Sequence, residues 1–118
     1  MDLYAKIYLY STVPKNQVSD MVVQLTGDLK SLDWSVIKND DFDQEKSIQF
    51  PDGFLFFPYM IELDSVESFG EEIYIESIAI LLSRLWGKGM PAVISADFED
   101  KLPEKGGYKS RNIPFPIA

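Results

Sequence analysis

Carboxylates are the side chains through which this chain could do chemistry. Its 118 residues contain neither Cys nor His. Their absence excludes disulfides, thiol nucleophiles, Ser-His-Asp and Cys-His catalysis, and the common zinc sites. Asp and Glu can still act as a general acid and base or hold a hard cation, and burial can tune a Tyr or a Lys.

Asp97 and Glu99 are the pair that a carboxylate enzyme would use. Alternation puts both on one side of the chain where the last predicted strand ends, so a metal-assisted hydrolase can be imagined there. No basic cluster and no Ser or Thr nucleophile accompanies them, although such a site needs those parts. The sequence therefore predicts no catalytic residue, and a carboxylate enzyme is the third of the functions considered below.

The acidic run from Asp40 to Glu45 invites a calcium site, because oxygen ligands at alternating positions can wrap a hard cation. Counting from Asp41, however, the sixth and twelfth positions hold Lys46 and Asp52, where an EF-hand loop has Gly and Glu. A solvated acidic loop that docks Lys or Arg accounts better for this run. We therefore predict no metal and no cofactor.

The negative charge of the chain is concentrated in its middle. The net charge is −8 and the pI is about 4.4, and the 37 residues between Lys46 and Arg84 contain seven acids and no base. That block carries −7, the segment before it −3, and the segment after it +2. A field of one sign attracts a partner of the opposite sign and repels phosphate. We expect a basic protein as the partner and no nucleic acid.

Two hydrophobic periodicities alternate along the chain. Period-2 patterns predict strands through about Tyr10, at 34–37, at 54–63 with Pro58 as a bulge or edge, and at 91–98. Helical stripes predict a helix after Thr12 that weakens at Gly27, and a second helix that starts at a capping box at 68–71 and stops at Gly87. The chain from about residue 101 onward reads as an irregular tail.

The order β-α-β-β-α-β predicts a single α+β domain over residues 1–118 with a ferredoxin-like plan. In that plan two helices cover one face of a four-stranded antiparallel sheet, and right-handed crossovers place the first and third strands in the centre. The N-terminus has no basic stretch followed by an apolar one, and no segment approaches the roughly 18 apolar residues of a membrane span. We expect a soluble, unexported protein that does not bind membranes.

The sheet face opposite the helices is predicted to carry aromatic side chains. If Leu3, Ala5, Ile7 and Leu9 face the helices, the first strand presents the alternating set Tyr4, Lys6, Tyr8 and Tyr10 on the open face. The third strand would add either Phe54, Phe56 and Met60 or Leu55, Phe57 and Tyr59, according to register. Such a platform either binds a partner or packs against the C-terminal tail or a second copy. Base stacking is disfavoured, because the neighbouring acids repel phosphate.

The stretch from Leu81 to Pro103, LLSRLWGKGMPAVISADFEDKLP, followed by Gly106-Gly107-Tyr108, resembles a pattern in small bacterial immunity proteins encoded beside toxins of contact-dependent growth inhibition. The resemblance covers about a quarter of the chain. It implies a cytoplasmic protein that binds the toxic C-terminal domain of a delivered toxin, usually a nuclease, and blocks its active site or substrate surface. No catalytic residue comes with that family.

The charge pattern leads independently to the same hypothesis, because an acidic protein without catalytic groups suits the basic cleft of a nuclease. The residues predicted to bind the partner are the acids Asp40, Asp41, Asp43, Glu62, Asp64, Glu67, Glu71 and Glu72, with Tyr8, Tyr10 and Phe56 as aromatic anchors. The alternative is a homo-oligomeric structural or regulatory module, for example a homodimer joined by its sheet faces.

Overall fold

The computed structural model describes residues 1–117 and shows four strands and three helices. The strands are β1 (Ala5–Leu9), β2 (Leu32–Lys38), β3 (Tyr59–Ser65) and β4 (Ala92–Ser95). The helices are α1 (Lys15–Thr26), the single turn α2 (Gln44–Ser47) and α3 (Glu71–Gly87). Short 3-10 turns occupy Asp52–Phe56, Glu67–Phe69, Glu99–Lys101 and Pro103–Gly107.

All strand pairs are antiparallel, and the sheet order is β2-β3-β1-β4. The first and third strands are therefore central, as the predicted ferredoxin-like plan requires, and the α+β fold class is confirmed. Ala5 lies opposite Leu63, Leu32 opposite Ser65, and Lys6 opposite Ser95. The start of β1, the start of β2, the end of β3 and the end of β4 consequently meet at one end of the sheet.

The main core lies between the sheet and the two long helices. Ala5, Ile7 and Leu9 of β1 are buried there, as the alternation predicts. The apolar stripe of α3 fills the same core, and its Tyr74 hydroxyl donates to the Leu3 carbonyl at 2.7 Å. The predicted capping box does not form, because Gly70 caps α3 with φ +82° and no side chain bonds to the cap. The helix still ends at Gly87, where we predicted its stop.

The predicted strand over 54–63 is wrong in its first half. Residues 52–56 form a 3-10 turn, and β3 begins only after Pro58. Gly53 explains the difference, because a Cβ there would lie 2.6 Å from the Lys46 carbonyl oxygen and 2.7 Å from that of Ser47. The side chain of Asn39 also holds this turn, donating to the carbonyls of Leu55 and Phe57 at 2.9 and 2.8 Å. These contacts turn the chain back over the sheet.

A second, smaller apolar cluster lies on the sheet face opposite the helices. Its buried members are Phe54, Phe57, Val93 and Ile113, and Tyr8, Tyr10, Trp86 and Phe115 pack against them. Since Ala92 and Ile94 belong to the main core, Val93 between them points to the other face. The 3-10 turn at 52–56 and the C-terminal tail therefore cover one end of the face that a bare two-layer fold would leave open.

Candidate functional site

The uncovered end of this second sheet face forms an acidic hollow. Tyr4, Asp33, Ser35, Glu62 and Asp64 line it, and Trp34 and Leu63 complete its wall. Its volume is about 220 Å³. Ligand pockets for small molecules usually have about 300–1,000 Å³, so this hollow is closer in size to a single side chain.

Strand register places the charges of the hollow. Asp33 of β2 lies directly opposite Asp64 of β3, and Ser35 lies opposite Glu62. Like charges directly opposite each other destabilise an antiparallel pair. The sheet therefore holds two carboxylates in an arrangement that a cation would relieve.

Tyr4 provides the hydrogen-bond donor of the acidic hollow. Its hydroxyl donates to Oε2 of Glu62, which lies on the neighbouring strand. The pKa of Tyr4 is raised to about 12, first by burial and then by the hydrogen bond to Glu62 and the charge of that carboxylate. The hydrogen bond holds the Glu62 side chain in place, and its other oxygen can still accept from a partner.

A second hollow adjoins the first across Tyr4 and is also acidic at its rim. Asp2 and Asp97 lie there, and its volume is about 290 Å³. The Asp2 backbone N–H donates to Oδ2 of Asp97 at 3.1 Å, and Oδ1 of Asp2 accepts from the Tyr4 N–H at 3.0 Å. These bonds fix the N-terminal segment beside β4 and extend the acidic surface past β1.

Few of these acids have a basic partner. Within residues 1–117, the one ion pair joins Asp28 of the α1–β2 connection to Arg84 of α3, at 2.7 Å. The hydrogen bond to Arg84 lowers the pKa of Asp28 to about 2. Lys6 lies opposite Glu62 in the β1–β3 register but forms no ion pair with it. The acidic hollow is therefore free to meet a cation from outside the chain.

Five of the predicted partner-binding acids gather at this end of the sheet. Glu62 and Asp64 line the hollow, Glu67 lies in the 3-10 turn after β3, and Glu71 and Glu72 begin α3. Burial raises the pKa of Tyr74, and the charges of Asp64 and Asp2 raise it further. The Tyr74 hydroxyl donates to the Leu3 carbonyl, so the start of α3 lies at the same end of the sheet as the hollow.

The other three predicted acids lie at the opposite end of the sheet. Asp40, Asp41 and Asp43 follow β2, whose end pairs with the start of β3. Asp43 caps α2 by accepting from the Lys46 N–H at 3.0 Å, and the Asp41 N–H donates to Oδ1 of Asn39 at 3.0 Å. These residues organise a loop, and the structure does not bring them to the acidic hollow.

The three predicted aromatic anchors are half-buried within the chain. Tyr8 meets Phe54 edge to face with ring centroids 5.3 Å apart, and Tyr10 meets Phe57 at 5.6 Å. Phe56 lies under the ammonium of Lys46, 5.0 Å from its ring centroid. The predicted open aromatic platform is therefore wrong at this end of the face. Of the alternatives considered, packing against the C-terminal tail is the one observed.

Sequence reasoning missed Tyr4 and Asp33 as members of the site. A signal for Asp33 existed, because Leu32, Trp34 and Val36 alternate with Asp33 and Ser35 along most of β2. The predicted strand began at Trp34 and left Asp33 outside. Tyr4 was placed on the correct face, but its bond to Glu62 depends on a register that only the folded sheet defines.

The two carboxylates of the imagined hydrolase have structural roles. Asp97 accepts from the Asp2 N–H, and Oε1 of Glu99 accepts from the Ala96 N–H at 3.0 Å. Among residues 1–117, no three Asp or Glu side chains are grouped so that they could hold a metal ion. In the same range, no helix is long and apolar enough to cross a bilayer.

We compared the chain with protein-family models, curated sequences and solved structures. No protein-family model, no curated protein sequence and no solved structure matches the chain.

Proposed function

We propose that this protein is an immunity protein that acts in the cytoplasm. It would bind the toxic domain, a nuclease, of a cognate contact-dependent growth inhibition toxin and occlude a basic surface of that domain. The observation that carries the proposal is the acidic hollow, in which Asp33, Glu62 and Asp64 lie together without a basic partner. Nucleases hold phosphate through clustered Lys and Arg, and such a cluster is the complement of this surface.

Two further features support a binding role. The acids at the start of α3 add negative charge at the same end of the sheet. They line an open groove of about 720 Å³ together with Ile75, Glu76, Ala79 and one basic residue, Lys101. Ile73, which follows these acids in α3, is also exposed, so apolar contact area accompanies the charge. Charge would then guide the encounter, and apolar burial would hold the complex.

The test is rescue and binding with the C-terminal domain of the protein that the neighbouring upstream gene encodes; the proposal expects that domain to be basic and toxic. Co-expression of this protein should restore growth of cells that produce that domain. The purified pair should form an equimolar complex whose affinity falls as salt rises. A domain that kills cells equally with and without this protein, and that shows no binding in low salt, would contradict the proposal.

A matched pair of double variants localises the interface. Glu62→Lys with Asp64→Lys should lower the affinity more than about tenfold, because it reverses the charge of the hollow. Asp40→Lys with Asp41→Lys changes the net charge by the same amount at the other end of the sheet and should have a much smaller effect. Equal losses from both pairs would show that net charge alone drives binding and would remove the hollow from the proposal.

A further inference from the structure

Strand β2 is an edge of the sheet, and hydrogen bonds at its two ends define which of its backbone groups face outward. The Asn39 N–H donates to the Pro58 carbonyl at 2.9 Å, and the Val66 N–H donates to the Ser31 carbonyl at 2.9 Å. In an antiparallel pair, bonded positions alternate. Residues 33, 35 and 37 therefore bond to β3, and residues 34, 36 and 38 direct their N–H and C=O groups away from the sheet.

None of these outward groups has another partner within residues 1–117. No hydrogen bond outside the sheet ladder involves the backbone of Trp34, Val36 or Lys38. The pairing of β2 with β3 runs without interruption from Leu32 to Lys38, so no bulge twists this edge away. Natural edge strands are commonly blunted by Pro, by bulges, by charged side chains or by a covering segment. Strand β2 has no Pro and no bulge, and its charged side chains are Asp33 and Lys38 at its two ends.

The other edge of the sheet is covered. Gly107 approaches the Ala92 carbonyl of β4 so closely that a Cβ at Gly107 would lie 3.0 Å from that oxygen. The indole N–H of Trp86 donates to the same carbonyl at 2.9 Å. The chain thus caps a four-residue edge with its tail and leaves a seven-residue edge with unpaired backbone groups.

The side chains beside the β2 edge indicate what would pair with it. A strand added outside β2 places alternate side chains on the face of the acidic hollow, opposite Asp33, Ser35 and Ile37. These are non-hydrogen-bonded positions on the outer side of β2, where side chains come closest. A Lys or Arg opposite Asp33 would meet a carboxylate that already lies opposite Asp64. An apolar residue would fit opposite Ile37, which is half-buried and pairs with Met60.

We propose that the β2 edge binds an extended basic segment of the partner protein as a fifth strand, with a Lys or Arg opposite Asp33 and an apolar residue opposite Ile37. Only the identity of that partner rests on the proposed function. A second copy of this chain is a poor occupant, because it would bring another net charge of −8 and another Asp33 to the same edge. The backbone supplies affinity and the alternate side chains supply specificity.

Amide hydrogen exchange measured by NMR tests this proposal residue by residue. The probe is a synthetic heptapeptide for antiparallel addition, with Val, Thr and Lys at its second, fourth and sixth positions. At saturating peptide the amides of Trp34, Val36 and Lys38 should exchange at least about tenfold more slowly, because they gain acceptors. The amides of Asp33, Ser35 and Ile37 should change little, since the ladder with β3 already protects them. Slowing of both sets alike, or of neither, would overturn the proposal.

Three controls make the result specific. A peptide with Glu in place of Lys should bind more weakly, and a peptide N-methylated at its bonding positions should not protect the edge. Asp33→Lys should abolish the preference for the Lys peptide, whereas Asp20→Lys on the exposed surface of α1 should leave it intact. If the outward amides of the free protein become protected as its own concentration rises, a second copy occupies the edge and the proposal is wrong.

The same measurement separates this inference from the proposed function. If the toxin domain is neutralised while the outward amides of β2 exchange as in the free protein, the function stands and the edge does not carry it. If the peptide protects those amides but no toxin domain is bound, the edge site stands and the assigned partner is wrong.

Discussion

The second face of the sheet has an apolar region that other parts of the chain cover and an acidic region that stays exposed. At one end Phe54, Phe57 and Ile113 cover Val93 and Tyr8. At the other end the acidic hollow stays uncovered, and its residues come from β2, from β3 and from Tyr4 just before β1. Apolar side chains gain from losing water, whereas unpaired carboxylates lose by it. The contrast indicates that the tail protects the apolar region and leaves the acidic one to a partner.

The largest expected effect is a loss of stability when the covered apolar region is disrupted. Phe57→Ala should lower the free energy of unfolding by about 3–5 kcal/mol, because Phe57 is fully buried between Tyr10 and Phe115. Urea denaturation followed by circular dichroism measures the change. The matched control is Phe42→Ala, since Phe42 is 45% exposed and should cost less than about 1 kcal/mol. Similar losses from both variants would mean that the second cluster adds no more stability than surface contacts do.

The next effect concerns the cover at the β4 edge. Gly106 and Gly89 have nearly the same positive φ, +82° and +78°. A Cβ at Gly106 would collide with Cγ2 of Ile94, whereas a Cβ at Gly89 would meet nothing within 4 Å. Gly89→Ala should therefore cost about 1–2 kcal/mol of unfolding free energy from backbone strain alone. Gly106→Ala should cost about 1–3 kcal/mol more, because it adds overpacking. If both variants lose the same free energy of unfolding, measured by thermal or urea denaturation, the tail is not tightly packed against β4.

A smaller effect of opposite sign is expected in the acidic hollow. Asp64→Asn should raise the free energy of unfolding by about 0.2–1 kcal/mol, because it removes a like charge opposite Asp33. The same substitution should weaken binding of a basic partner. Asp20→Asn on α1 is the control and should change neither quantity. A loss of stability on Asp64→Asn would indicate that the hollow has a structural rather than a binding role.

The smallest effect is a shift in titration. The pKa of Tyr4 is raised to about 12 by burial, by its hydrogen bond to Glu62 and by the negative charge of Glu62. A raised pKa means that folding favours the protonated phenol. The stability from this group is fully present below pH 10 and is lost as the pH rises through about 12. Glu62→Gln should lower the pKa of Tyr4 toward 10, which NMR titration of the ring signals measures. An unchanged pKa would exclude Glu62 as a cause.

The parts of the fold that repeat a simple period were predictable. The stripe of α3 spans 17 residues, and the alternation of β1 assigns its buried face correctly. The turn at 52–56 was not predictable, because Phe54, Leu55 and Phe56 read as a strand until Gly53 meets the carbonyls at Lys46 and Ser47. Contacts with residues outside the segment decide such turns, and the periodicity within the segment does not report them.

The same limit applies to the candidate site. The concentration of acids is visible in the sequence, and it led us to predict both Asp40 and Glu62 as partner-binding residues. The structure places these two residues at opposite ends of the sheet. Register alone sets Asp33 against Asp64 and Tyr4 beside Glu62. Composition therefore predicts that the surface is negatively charged, and strand pairing decides which acids lie together on it.

The position of the acidic hollow has a consequence for how this protein can diverge. Asp33, Ser35 and Asp64 belong to neither apolar cluster. Their side chains can be exchanged without altering what holds the fold together, and one exchange there is expected to stabilise it. A lineage can therefore retune this surface to a changed partner in single steps, while the helices, the sheet and the tail that covers it are inherited unchanged.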